Sequence, residues 1–217
     1  MTMDMLEDKG GERDYALERL IMLSDGVFAI AITLLALELR PPEGWDHHLA
    51  SLGSLMWRHV LAFLLSFAVI AGFWIAHRKM FGRFRSADMG LTVLNLVMLC
   101  LITLVPVANN MAFEGGPSGG GFTLYWAIFS LLGFANAAIW VYAAFLKPGL
   151  FRVPPPPAVR RHTLVLMLIM PVATPLFGLV TSGTARVWVL APILVMVLLA
   201  RVFRSRLKHS IDAEWRP

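Results

Sequence analysis

The chain has 217 residues, of which 58% are apolar and only 15% charged, and its mean hydropathy is +0.68. Too little polar side chain is present to cover a soluble globule of this size, so the composition points to an integral membrane protein. The net charge of +5 would suit a nucleic-acid binder, but the basic residues flank long apolar runs, which assigns them to orientation in a bilayer and excludes that reading. A single cysteine, Cys100, lies inside an apolar run and can form no intrachain disulfide.

Taken in chain order, residues 1–16 mix Asp and Glu with scattered Lys and Arg, unlike a basic leader. They are expected to be a cytoplasmic segment, followed by a six-helix transmembrane domain over 17–203 and a cytoplasmic basic tail over 204–217. The first span, 17–39, is long enough for one crossing at about 1.5 Å per residue. Inside its first half stand Ser24 and Asp25. An aspartate in a spanning helix costs about 2.5–3.5 kcal/mol at mid-depth and less near an end, so a partner or a wet path must offset it. At 100° per residue, Leu23, Gly26, Ile30, Thr33, Leu34 and Leu37 share one broad face, while Ser24 and Asp25 point away from it.

Five further spans are predicted over 55–77, 88–112, 122–145, 162–182 and 186–203. Sixteen of the nineteen Lys and Arg residues fall on one side of this arrangement, in the 78–87 and 146–161 loops and at both ends. The positive-inside rule then places both termini in the cytoplasm. Trp45, Trp57, Tyr125, Trp126 and Trp188 would mark the outer interface, and Trp140 and Tyr142 the inner one. Pro154 to Pro157 reads as a stiff spacer, and Pro171, Pro175 and Pro192 as bends in the last helices. Ala68, Ala71, Gly72, Gly133 and Ala137 suit close helix contacts.

With helices alternating in direction, Asp25, His77 and Asn95 lie toward the same leaflet. A carboxylate there could accept bonds from the His77 ring, the Asn95 amide or the Trp74 indole. Two other readings stand beside this scaffold: a proton relay through Asp25 and His77, or simple snorkelling of His77. His47 and His48 with Asp46 lack a matched further ligand, so no metal site is expected. No phosphate loop, nucleophile elbow or zinc-protease pair is present, and nothing argues for an enzyme or a cofactor.

The run Arg19, Ser24, Asp25, Gly26, Val27, Phe28, Ala29, Ile30, Thr33, Leu34, Leu35 and Glu38 resembles the signature of the endolysosomal potassium-channel family (transmembrane protein 175), in particular its single-repeat prokaryotic members. Leu23 stands where the family has Phe, and Arg78 where it often has a second His. The resemblance implies a homotetramer in a prokaryotic plasma membrane, contacting lipid and monovalent cations, with the first helix of each copy around a central pore. It implies pore-lining roles for Ile30, Leu34 and Leu37, with Thr33 as a ring of hydroxyls and Leu23 and Gly26 at the inner vestibule. It also implies that Arg19, Ser24, Asp25, Trp74, His77 and Asn95 form a structural polar network. Glu38, with Glu43 and Asp46, stands near the outer mouth and could concentrate cations. The expected function is a potassium-permeable channel with a hydrophobic constriction; the alternative is a proton-conducting channel or a proton-coupled transporter.

Overall fold

The computed structural model describes residues 14–40, 48–114 and 120–181, and these form a helical bundle. Helix α1 spans Tyr15–Leu37, α2 Leu49–Phe81, α3 Met89–Glu114, α4 Gly121–Val141 and α5 Pro157–Thr181. A π-helical turn over Tyr142–Leu146 prolongs α4, and a 3-10 turn over Pro148–Leu150 follows it. Among the described residues, four segments are long and apolar enough to cross a membrane: Tyr15–Leu37, His59–Phe81, Met89–Ala112 and Gly121–Leu146. The sixth predicted span, the basic tail, and Glu43, Asp46 and His47 lie outside the described residues.

The first four predicted spans fall on these segments, and the fifth falls on α5, which is helical but not among them; α2 is longer than its predicted 55–77. It starts at Leu49 and runs through Arg78 and Lys79 to Phe81, since intrahelical bonding does not stop where apolar sequence does. Long cationic side chains can leave the hydrocarbon while their backbone stays helical. The Pro154–Pro157 spacer also differs at its end: Pro157 is the first residue of α5, where a fixed φ and a missing N–H cost nothing.

Helix α4 is apolar on nearly every face and is correspondingly the most enclosed span, packed between α3 and α5. Helix α1 packs on α2 and α3 at the edge of the bundle. Tyr125 and Trp126 are therefore only 4% exposed, inside the protein, and not in an interfacial belt as their type suggested. Trp140 is buried as well, its indole N–H donating to the Arg160 carbonyl at 3.1 Å.

The basic end is tied together by backbone bonds. Arg85 N–H donates to the Leu150 carbonyl at 2.8 Å and Arg152 N–H to the Arg83 carbonyl at 3.0 Å, around a Phe84–Phe151 bridge. Asp14, the N-cap of α1, donates its own N–H to the Arg85 carbonyl at 3.2 Å. Asp88 caps α3 by accepting the Leu91 N–H at 2.8 Å and takes the Tyr142 hydroxyl at 2.7 Å. Desolvation pushes the Asp88 carboxyl up, but these two bonds and the charge of Lys147 outweigh it and hold the group below its ordinary value. The hydroxyl of Tyr142 fills the space a side chain at position 90 would need, so glycine stands there.

Proline decides the α4–α5 contact. Pro175 has no N–H to offer the Pro171 carbonyl one turn earlier, and the Ser130 hydroxyl of α4 donates to that carbonyl at 2.6 Å instead. Gly133, one turn along α4, faces the Pro171 ring so closely that an added Cβ would sit 2.9–3.0 Å from its carbons. Gly133→Ala is expected to force the two helices apart and cost about 1–3 kcal/mol. A thermal unfolding scan in detergent checks this: a lower Tm is expected, and an unchanged Tm would show that the contact carries no strain.

Candidate functional site

The helical period divides α1 between two environments. Leu17, Leu20, Ser24, Phe28, Ala31 and Leu35, spaced three and four apart, are buried against α2 and α3. Leu23, Gly26, Ile30, Thr33, Leu34 and Leu37 are exposed on the opposite side, with Ile30 at 59% and Leu37 at 66%. Glycine 26 has no atom within 4 Å of where a Cβ would stand. The Thr33 hydroxyl donates to the Ile30 carbonyl at 2.9 Å, which leaves its oxygen lone pairs directed off the helix.

The rotation of α1 is held by a chain of polar contacts in the buried interior. Asn95 of α3 donates from Nδ2 to Ser24 Oγ at 2.9 Å, and Ser24 donates on to the Leu20 carbonyl at 2.7 Å. The amide oxygen of Asn95 is 2.8 Å from His77 Nε2 of α2, so that nitrogen carries the proton. Serine 24 and Asn95 are fully buried and His77 is 1% exposed. The His77 ring stacks on Phe81 at 3.9 Å and lies 5.6 Å from Phe28. From Phe81, edge-to-face contacts continue through Phe84 and Phe151 to Trp140, joining the cluster to the basic-end loops.

Asp25 is hydrogen-bonded outside this cluster, although its charge still bears on the His77 ring. One residue past Ser24 is a rotation of 100°, which carries the carboxylate from the α3 side to the exposed edge facing α2. There it accepts the Trp74 indole N–H at 2.8 Å, and the Arg78 guanidinium lies over that indole, 5.5 Å from the ring centroid. The expected six-residue network thus divides by hydrogen bonding and ring contact into two groups, Ser24–Asn95–His77 inside and Asp25–Trp74–Arg78 outside, which the charge of Asp25 on His77 still couples. Arg19 is brought to neither; its guanidinium lies over Tyr15 at 5.7 Å, on the exposed side of the first turns.

A second buried cluster escaped the sequence reading. Ser66 of α2 donates to Asn109 Oδ1 of α3 at 2.7 Å and so accepts from the Tyr125 hydroxyl of α4 at 3.1 Å. The signal was available: Ser66 and Asn109 are polar residues within apolar spans, at matching depths on helices of opposite direction. Above it, Glu38 ends α1 beside a small cavity that is also lined by His59, Asn109 and Asn110. Among the described residues no group of three or more His, Cys, Asp or Glu is placed to hold a metal ion.

Helices of this length and apolarity, several of them joined by buried polar contacts, define a multi-pass helical membrane protein. The model of the family described as endosomal/lysosomal potassium channel TMEM175 matches residues 19–106, which hold both polar groups around α1. A potassium channel of Chamaesiphon minutus is 33% identical over 132 residues, covering 58% of this chain and 65% of the relative. A potassium channel of Streptomyces collinus is 37% identical over 101 residues, covering 44% and 47%. The human endosomal/lysosomal proton channel TMEM175 is 25% identical over 171 residues, covering 75% of this chain and 33% of the relative. The crystal structure of a lysosomal potassium-selective channel TMEM175 homolog from Chamaesiphon minutus superimposes with a TM-score of 0.62 at 27% identity, covering 89% of this chain and 98% of that one. The family model over residues 19–106, the bacterial relatives and the solved structure together support a prokaryotic member of the TMEM175 family, whose named relatives are ion channels and not enzymes. Its matched stretches span between about half and two thirds of the length of these two bacterial relatives.

The separation of the two polar groups has a measurable consequence. Asn95→Leu leaves the His77 N–H and the Ser24 oxygen without a partner and is expected to cost about 1–3 kcal/mol for each. Asp25→Asn keeps an oxygen for the Trp74 indole and is expected to cost far less. Unfolding in detergent compares the two variants, and equal losses would mean that the groups act as one network.

Proposed function

We propose that four copies of this chain surround a central axis and form a potassium-permeable cation channel, with α1 of each copy lining the pore. The observation that carries this reading is the exposed face of α1, which opposes a face locked into the bundle by hydrogen bonds. A closed ring of identical subunits turns one such face into a continuous wall. Rings of Ile30, Leu34 and Leu37 then form the narrowest part, which gates by dewetting, and the Thr33 oxygens supply the polar ring among them. Potassium sheds its hydration shell more easily than sodium, which favours potassium at an apolar constriction with few oxygens. Glu38, expected at the outer mouth, instead turns from the end of α1 toward the cavity beside α2 and α3, so cation attraction along the exposed face is not assigned to it. The basic end faces the cytoplasm of a prokaryotic cell by the positive-inside rule, and the only small species the pore requires is the permeant ion.

A second reading, proton conduction, is favoured by the name of the human relative and by the ionisable Asp25 and His77 within the spans. The burial of His77 away from the exposed face of α1 argues for the first reading.

Flux assays on liposomes holding the purified chain separate them. Potassium-gradient-driven flux that persists in Asp25→Asn supports a cation pore, whereas flux driven by a pH gradient alone supports the second reading. Ile30→Asn hydrates the constriction and is expected to raise flux and reduce potassium-over-sodium discrimination. Unchanged permeation in that variant would contradict the pore assignment.

A further inference from the structure

The basic end of α2 carries a feature that the pore does not use. Trp74, Ile75, Arg78 and Lys79 line an open cleft in the last two turns of the span His59–Phe81. Arg78 and Lys79 are exposed, and the Arg78 guanidinium is stacked on the Trp74 indole. The cleft therefore presents two cations at headgroup depth, an indole beneath them, and the exposed side chain of Ile75 one turn deeper, at acyl-chain depth. Asp25 is the acid that faces this cleft, and one of its oxygens is committed to the Trp74 N–H. The end of a helix offers carbonyls and no free N–H, so an anion here must be recognised by the two side chains.

We propose that this cleft binds an anionic phospholipid, with its phosphate between Arg78 and Lys79 and an acyl chain along Ile75. The bound phosphate holds Arg78 down on the indole, and the indole holds Asp25 of α1. The lipid thereby steadies the helix whose far side is exposed. A zwitterionic lipid brings its own cation to the same place and binds more weakly. The consequence for conduction rests on the reading of α1 as the pore helix; the binding itself does not.

The test uses the full chain, stripped of lipid and offered phosphatidylglycerol or phosphatidylcholine, with retention read by native mass spectrometry. The wild type is expected to retain phosphatidylglycerol preferentially, and Arg78→Gln with Lys79→Gln to lose this by about tenfold. A control pair removes two exposed charges elsewhere on the basic end, Arg85→Gln with Arg161→Gln, and should keep the preference. Potassium flux should be faster in phosphatidylglycerol vesicles for the wild type and indifferent to lipid in the Arg78/Lys79 variant. Equal losses in both pairs, or none in either, would overturn the site. Dissociation of the particle into smaller species without a change in lipid retention would also overturn it, by making the cleft a contact between copies. Retention that follows Arg78 and Lys79, with no flux in any vesicle, would support the lipid site and contradict the channel reading.

Discussion

Ser24, Asn95 and His77 sit where no water is available to replace a lost hydrogen bond, and this constraint governs the arrangement around α1. Within this cluster the serine is answered by the amide and the amide oxygen by the imidazole. Turning α1 by even one residue would replace Ser24 at α3 with Leu23 or Asp25, leaving the amide unmatched or a carboxylate buried. Leaving such groups unpaired costs about 1–3 kcal/mol each, comparable with a sizeable part of a protein's net stability. A helix held this firmly from behind presents a defined set of side chains in front, from Leu23 through Ile30 and Leu34 to Leu37.

The same economy recurs along the bundle. Ser66, Asn109 and Tyr125 link α2, α3 and α4 in the opposite half of the spans, and Ser130 answers the carbonyl that Pro175 leaves vacant in α5. Apolar packing alone would allow helices to slide or turn in a bilayer, because lipid tails are as apolar as leucine. Matched polar groups remove that freedom. The aromatic series from His77 to Trp140 extends the restraint to the loops at the basic end, where backbone pairing between Arg83–Arg85 and Leu150–Arg152 closes the bundle.

Much of this was legible in the sequence because the physics leaves few choices. A 3.6-residue period divides α1 into two faces without any knowledge of its neighbours, and polar residues in apolar spans announce themselves. The depth of Trp74, His77 and Asn95 follows from alternating helix directions. Depth does not tell azimuth, however. Depth groups Asp25 with His77, Asn95 and Trp74, yet its hydrogen bond goes to Trp74 and only its charge reaches His77; Arg19, expected in the same network, lies over Tyr15. By residue type Tyr125 and Trp126 suit an interfacial belt, whereas the all-round apolarity of α4 draws them inside. The role of Gly133 was legible as smallness, yet the small residues of α2 have a different fate, for Gly72 meets no atom within 4 Å of a Cβ position.

Cysteine accessibility tests most directly whether the exposed face of α1 borders the ion path. In a Cys100→Ser background, Leu34→Cys places a thiol on that face, and Leu131→Cys places one on an exposed position of α4. A membrane-impermeant cationic thiol reagent should block potassium flux through the first variant and leave the second unaffected. Flux that survives full modification at Leu34→Cys, or that is lost equally in both, would contradict the account.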